Sequence, residues 1–379
     1  MPSRQAIVTY GFTTAAAATI TLAALLQPWR GPGPGSALAP VLPARHAVDV
    51  VFAVDTTGSM GGLIDGAKRT VWSIATHIRQ TEPDADLRIG LVAYRDIGDD
   101  YVTRDFALTG DLDAVFAELA GYQADGGGDT PEDVAAALYD TVHRMQWRDG
   151  AKKLVFLVGD APPADRGDVP TFDAVAREAG DRGITLNTIR CGVDGDTAHA
   201  WRQIAALGHG QFSTIEQDGG VQQVATPYDA KMAELSARVD STAVIVGDDG
   251  ERALYERNVA VNAAAPAPAK ADRAAYYATG GGPASARASN DLVGGVVAGK
   301  LSKKSLHKIA KGALPPDLRG LAPEALQAEI DRRAELRKDA EAEIAKLAGQ
   351  RAEYLRSNAH AGEGAFDAKV NATIDAQLK

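Results

Sequence analysis

The stretch that decides the fold is "VVFAVDTTGSMGG", residues 50–62. An apolar run stops abruptly at Asp55. Thr56, Thr57 and Ser59 follow, then two glycines and the start of a helical pattern. The preceding "AVDVVFAV" (47–54) is apolar apart from Asp49, the mark of a strand buried on both faces. A strand that ends in a carboxylate and a cluster of hydroxyls places polar oxygens at one edge of a sheet.

Outward from this stretch, strands and helices alternate. Leu63, Ile64, Ala67, Val71, Ile74 and Ile78 fall at helical spacing. "LRIGLVAY" (87–94) and "YVTRDFAL" (101–108) read as strands, and "DLDAVFAELA" as a short helix. In "PEDVAAALYDTVHRM", Pro131 is placed at the first helical position. "KKLVFLVGD" (152–160) is a second central strand that ends in Asp. Helix 171–182, strand 184–191, helix 197–207, strand "GQFSTI" and a last helix complete the series. This order predicts an α/β fold, a doubly wound, mostly parallel sheet with helices on both faces, over residues 47–240.

In such a sheet, ligands sit outside the carboxyl ends of the strands, where the winding direction reverses. If the strands ending in Asp55 and Asp160 are neighbours, their carboxylates face one crevice, with Thr57 and Ser59 on the same side of the intervening loop. Oxygen donors without His or Cys nearby favour a hard cation such as Mg²⁺, with Ca²⁺ or Mn²⁺ as substitutes.

Asp55-x-Thr57-x-Ser59 resembles the Asp-x-Ser/Thr-x-Ser signature of the von Willebrand factor type A family, which carries a metal-ion-dependent adhesion site in that crevice. The resemblance covers about half of the chain. "GGGDTPEDVAAAL" (126–138) looks like the Asp-Ala-Pro-Glu loop of integrin beta subunits. By that match Glu132 supplies a carboxylate where many relatives have a threonine hydroxyl, and Thr130 is the fallback ligand. Asp160, in "VGDAPP", matches the third element. "LRIGLVAYRD" resembles the integrin beta strand that ends in a calcium-binding Asp, so Asp96 and Asp129 would form a secondary metal site. Gly127 stands where that site has an asparagine. Gly61 and Gly62 replace the acidic pair of a third integrin site, which is expected to be absent.

The resemblance implies a non-enzymatic module. In that family the hydroxyls bind the metal directly, the aspartates often act through water, and an open position takes a carboxylate from a protein partner. Three carboxylates (Asp55, Glu132, Asp160) overcompensate a divalent ion, which favours metal binding and weakens the pull on an anionic ligand. Two other readings use the same crevice: a metal-assisted hydrolase, with no evident base beyond Glu132, and a scaffold with a purely structural metal. Each residue taken alone reads better as a helix cap; it is the five together that point to a metal. A nucleophile elbow needs Gly-x-Ser-x-Gly, and Thr57 occupies the first glycine position.

The 379 residues carry 50 acidic and 40 basic side chains, a formal charge of −10. That balance argues against nucleic acid, which needs a basic stripe. The single cysteine, Cys191, excludes an intrachain disulfide. Residues 6–29 are apolar and uncharged behind Arg4, long enough for a membrane span of ~20 residues. They read as a signal anchor or a signal peptide, placing the rest of the chain outside the cytoplasm, in the periplasm or at the cell surface if the source is bacterial. Residues 31–46 read as a linker. The Ala/Pro/Gly-rich 241–320 reads as a linker region, and 321–379 as a helical tail. In that tail Leu326, Ile330, Ala340, Ile344, Leu347 and Tyr354 fall on a 4–3 seam interrupted by Arg333, Arg337 and Arg351. The tail is expected either to self-associate as a coiled coil or to pack on its own domain.

Overall fold

The computed structural model describes residues 46–128, 131–164, 167, 169–221, 224–278, 288–301, 306, 308–358 and 365–378. The apolar segment 6–29 lies outside them. Among the described residues no helix is long and apolar enough to cross a membrane.

Six strands form one sheet: β1 (Ala47–Asp55), β2 (Asp86–Tyr94), β3 (Thr103–Thr109), β4 (Lys152–Gly159), β5 (Ile184–Cys191) and β6 (His209–Ile215). Their order is β3-β2-β1-β4-β5-β6. Only β3, at the edge, runs antiparallel to its neighbour. β1 pairs in parallel with β2 and β4, so the winding reverses between β1 and β4, beside Asp55.

Side-chain alternation explains why the central strands read as continuous apolar runs. In β1, Val50, Phe52 and Val54 enter one core while Val51 and Ala53 enter the other. In β4, Leu154, Phe156 and Val158 divide from Val155 and Leu157 in the same way. Phe52 and Phe156 stack at 5.4 Å between ring centroids. Each such fully buried side chain stabilises the fold by about 1.5–3 kcal/mol.

The first core is roofed by α1 (Gly61–Thr81) and α2 (Leu112–Ala120). The second is roofed by α3 (Val134–His143), α4 (Phe172–Asp181) and α5 (Gly195–Leu207). α6 (Asp229–Ser241) follows β6. Trp72 and Trp201 lie in these cores, as does Cys191. Trp147 lies beyond the end of α3 rather than on it, its Nε1–H donating to the Thr141 carbonyl.

Beyond residue 240 the structure departs from the expected linker and arm. The chain forms α7 (Asp249–Ala264), α8 (Ala267–Ala278), α9 (Leu292–Val297), α10 (Pro323–Asn358) and α11 (Phe366–Gln377). α7 opens with a capping box of Asp248 and Glu251. α8, drawn from the Ala/Pro-rich stretch, packs on α1 and α6 and puts Tyr276 into the first core. α11 completes the same core with Phe366, Val370 and Ile374, and Phe366 lies 6.2 Å from Phe52. The sheet's covering layer is therefore finished by the far end of the chain, not by residues 47–240 alone.

The seam of α10 is occupied by the chain itself. Leu326 and Ile330 join Val244, Leu292 and Val293, while Ala340 and Ile344 join Met232, Leu235 and Val239. The arginines that break the heptads are ion-paired inward. Arg337, fully buried, donates Nη1–H to Asp291 at 2.6 Å and Nε–H to Thr242 Oγ1 at 2.8 Å. Arg351 meets Asp229 at 2.7 Å and Asp272 at 2.6 Å. Arg273 of α8 bridges Asp113 and Asp240. Buried charges persist only when paired, so these pairs set where α8 and α10 lie. The coiled-coil expectation gives way to an intramolecular packing, which uses the seam that self-association would need.

Candidate metal centre

Asp55 ends β1 with its side chain entirely buried. The Thr57 N–H and Oγ1–H both donate to its Oδ1, at 2.8 and 2.7 Å. Its Oδ2 has no hydrogen-bond partner. Burial pushes the Asp55 carboxyl up to about 7, against the two Thr57 hydrogen bonds, and the Asp160 carboxylate adds to the rise. Thr57 is buried and Ser59 exposed, their hydroxyl oxygens 3.5 Å apart. The loop then passes through one 3₁₀ turn (Gly58–Met60) into α1.

Glu132 does not begin a helix. Asp133 caps α3 by accepting from Ala136 N–H at 2.9 Å, so the helix starts at Val134 and Pro131 lies outside it. The Glu132 backbone is instead pinned across the crevice: its N–H donates to the Pro162 carbonyl at 3.1 Å, and its carbonyl accepts from Ala164 N–H at 2.7 Å. This places a 3% exposed carboxylate at the site, with Oε2 lacking any partner. Burial first, then Asp55, Asp96, Asp99 and Asp160, push Glu132 up to about 8.

Asp160 stands just past β4, half-buried, its Oδ2 accepting from Gln217 Nε2 at 2.5 Å. Tyr94 lies beneath, fully buried, its hydroxyl donating to the Val158 carbonyl at 3.2 Å. Burial and then the Asp55 and Asp160 carboxylates hold this phenol far above its ordinary range, so it stays neutral. A Cβ at Gly159 would stand 2.3 Å from that hydroxyl. Glycine is therefore required immediately before Asp160.

The structure thus brings Asp55, Thr57, Ser59, Glu132 and Asp160 to the switch point. Asp129 and Thr130 lie outside the described residues. Asp96 is buried and near enough to raise Glu132. Asp99, which reads from sequence as part of a solvated turn, instead accepts the Gly127 N–H at 3.2 Å. Gly126 and Gly127 both sit at positive φ, +77° and +70°, and a Cβ on Gly127 would meet Thr57 Cβ at 2.8 Å. Consecutive left-handed residues make a concave loop that only glycine forms cheaply. The roles of Asp99, Gln217, Tyr94 and Gly159 escaped the sequence reading because each acts through a contact distant in sequence.

The donor set suits a hard divalent cation. Two buried carboxylate oxygens have no partner, and no Lys or Arg among the described residues forms an ion pair with Asp55, Glu132 or Asp160. An unpaired buried charge is costly, and a cation at this point would offset those of Asp55 and Glu132 as well as that of half-buried Asp160. Among the described residues no three His, Cys, Asp or Glu side chains converge closely enough to enclose a metal by themselves.

Residues 49–226 match the family model of the von Willebrand factor type A domain, and this part of the chain is such a domain. An alpha-protein kinase of Dictyostelium discoideum is 28% identical over 123 residues, 31% of this chain and 19% of the kinase. The chain thus spans about a fifth of that relative's length. Among solved structures, the conserved hypothetical protein BatB from Bacteroides thetaiotaomicron is 12% identical with a TM-score of 0.35, covering 56% of this chain and 98% of BatB. Proximal thread matrix protein 1 from the mussel byssus, with a zinc-occupied MIDAS motif, is 15% identical with a TM-score of 0.35, covering 45% of this chain and 41% of that one. The domain type commonly binds a divalent metal and is often used for metal-dependent protein interaction.

Proposed function

We propose that the domain is a non-enzymatic, metal-dependent protein-binding module that works outside the cytoplasm, tethered through residues 6–29. The observation that carries this reading is the pair of buried, unpartnered oxygens, Asp55 Oδ2 and Glu132 Oε2, at the sheet's switch point. Thr57 and Ser59 would offer hydroxyl oxygens to Mg²⁺, with Ca²⁺ or Mn²⁺ as alternatives, while Asp55, Glu132 and Asp160 supply the compensating charge. When bound, the metal offers a coordination position for a carboxylate of the partner. Two further features support a protein ligand. Among the described residues only four large apolar side chains are exposed, and Ile97 and Val193 are two of them. They follow β2 and β5, whose carboxyl ends lie on either side of Asp55.

The test is thermal melting of the full chain with Mg²⁺ or chelator, alongside Ser59→Ala, which removes a donor without changing charge. At metal ~100 times Kd the wild type should gain about 2.7 kcal/mol, and the variant should lose most of that gain while melting normally in chelator. Equal gains would place the cation elsewhere and end this reading. Partner capture that needs Mg²⁺ is the expected companion result. Chelation that abolishes turnover would favour a hydrolase, and chelation that only lowers Tm would favour a structural metal.

A further inference from the structure

The loop after β6 reaches back over the metal centre. Gln217 Nε2 donates to Asp160 Oδ2 at 2.5 Å and to the Ser59 carbonyl at 3.4 Å. One amide therefore links the loop that follows β1 to the end of β4. Its seat is built by backbone geometry. The loop turns through Gly219 and Gly220 at φ +81° and +61°. Gly219 N–H donates to the Glu216 carbonyl, and Gly220 N–H to Asp218 Oδ1, both at 2.9 Å. A Cβ on Gly192, itself at φ +69°, would stand 2.3 Å from Gln217 Oε1, and a Cβ on Gly62 would stand 2.8 Å from Asp218 Cβ. Phe366 N–H, at the start of α11, donates to the Gly219 carbonyl at 2.9 Å. The loop is thereby fastened to the first core.

The choice of an amide has a chemical consequence. It satisfies one oxygen of Asp160 without delivering positive charge. A lysine or arginine in the same seat would neutralise the carboxylate and repel a cation. The Gln217 donor fixes Asp160 in one orientation while leaving its charge available to the crevice.

We infer that Gln217 is a positioning residue of the metal centre, acting through Asp160. The inference rests on the metal-centre reading above. Partners that orient a ligating carboxylate typically contribute 10–100-fold to metal affinity.

The experiment is Mg²⁺ titration of the full chain by calorimetry, with metal-free melting measured in parallel at pH 8. Gln217→Met keeps the side chain's length and removes the donor. Its Kd for Mg²⁺ should rise roughly tenfold or more, with the metal-free Tm nearly unchanged because Gln217 is exposed. Gln217→Glu sets a carboxylate against Asp160, so its metal-free Tm should fall and Mg²⁺ should restore it, a signature that simple space-filling does not produce. Wild-type affinity in Gln217→Met, or an unchanged metal-free Tm in Gln217→Glu, overturns the inference while leaving the metal centre in place. A wild type that binds no Mg²⁺ overturns both.

Discussion

Replacing Asp55 by Asn isolates the electrostatic strain of the centre. Asn is isosteric and keeps an acceptor for the two Thr57 donors at 2.8 and 2.7 Å, but it carries no charge into the fully buried position. The Asp55 carboxyl is raised from 3.8 to about 7 in the folded protein. Because the folded value is the higher one, the group's contribution to stability is fully present below about pH 4 and is lost as pH rises through 7. A rise of roughly 3 pH units corresponds to about 4 kcal/mol of destabilisation at pH 8 and under half of that at pH 5. In chelator, Asp55→Asn should therefore be more stable than wild type by an amount that grows by roughly 2–3 kcal/mol between pH 5 and pH 8. Urea unfolding at the two pH values measures it. Mg²⁺ at pH 8 should narrow the gap by stabilising wild type alone. A difference in chelator that stays constant from pH 5 to pH 8 would refute the claim that Asp55 is buried with its charge uncompensated.

Two further substitutions probe the supports of the site. Gly127→Ala forces a left-handed residue and a Cβ 2.8 Å from Thr57 Cβ; it should lower stability by about 1–2 kcal/mol from the backbone alone and weaken Mg²⁺ binding, read by melting and calorimetry, and unchanged Mg²⁺ affinity would show that the glycine loop does not shape the site. Arg337→Ala leaves the buried Asp291 carboxylate without its 2.6 Å partner and should lower unfolding stability by about 3–5 kcal/mol; a loss under about 1 kcal/mol in urea would show that α10 is not pinned there.

The core of the fold was legible because each central strand carries its own signal. Continuous apolar runs such as 50–54 and 154–158 demand burial on both faces, and helices at regular spacing between strands leave few topologies. The placement of the candidate site residues was legible for the same local reason: Asp55, Thr57 and Ser59 lie within one loop, and Asp160 directly ends a strand. Pro131 shows the limit. It reads as the first helical position, and only the observed hydrogen bond from Ala136 N–H to Asp133 Oδ1 shows that the helix begins at Val134, which frees Glu132 to face the crevice.

By itself, then, the amino-acid sequence determined the sheet, its two helical layers and the polar edge at the switch point, since these follow from periodicities within a few residues. Only tertiary structure decided the rest. It ranked Gln217, Asp99 and Tyr94 as parts of the centre, each through a contact tens of residues away. It also returned α8, α10 and α11 to the body of the protein. The sequences of α8 and α10 lack a strong apolar stripe because much of what anchors them is buried ion pairing, as in Arg273–Asp113 and Arg351–Asp229. A charged residue carries no mark in sequence of whether it will meet water or a partner 122 or 160 positions away, and that choice is made only when the chain is packed.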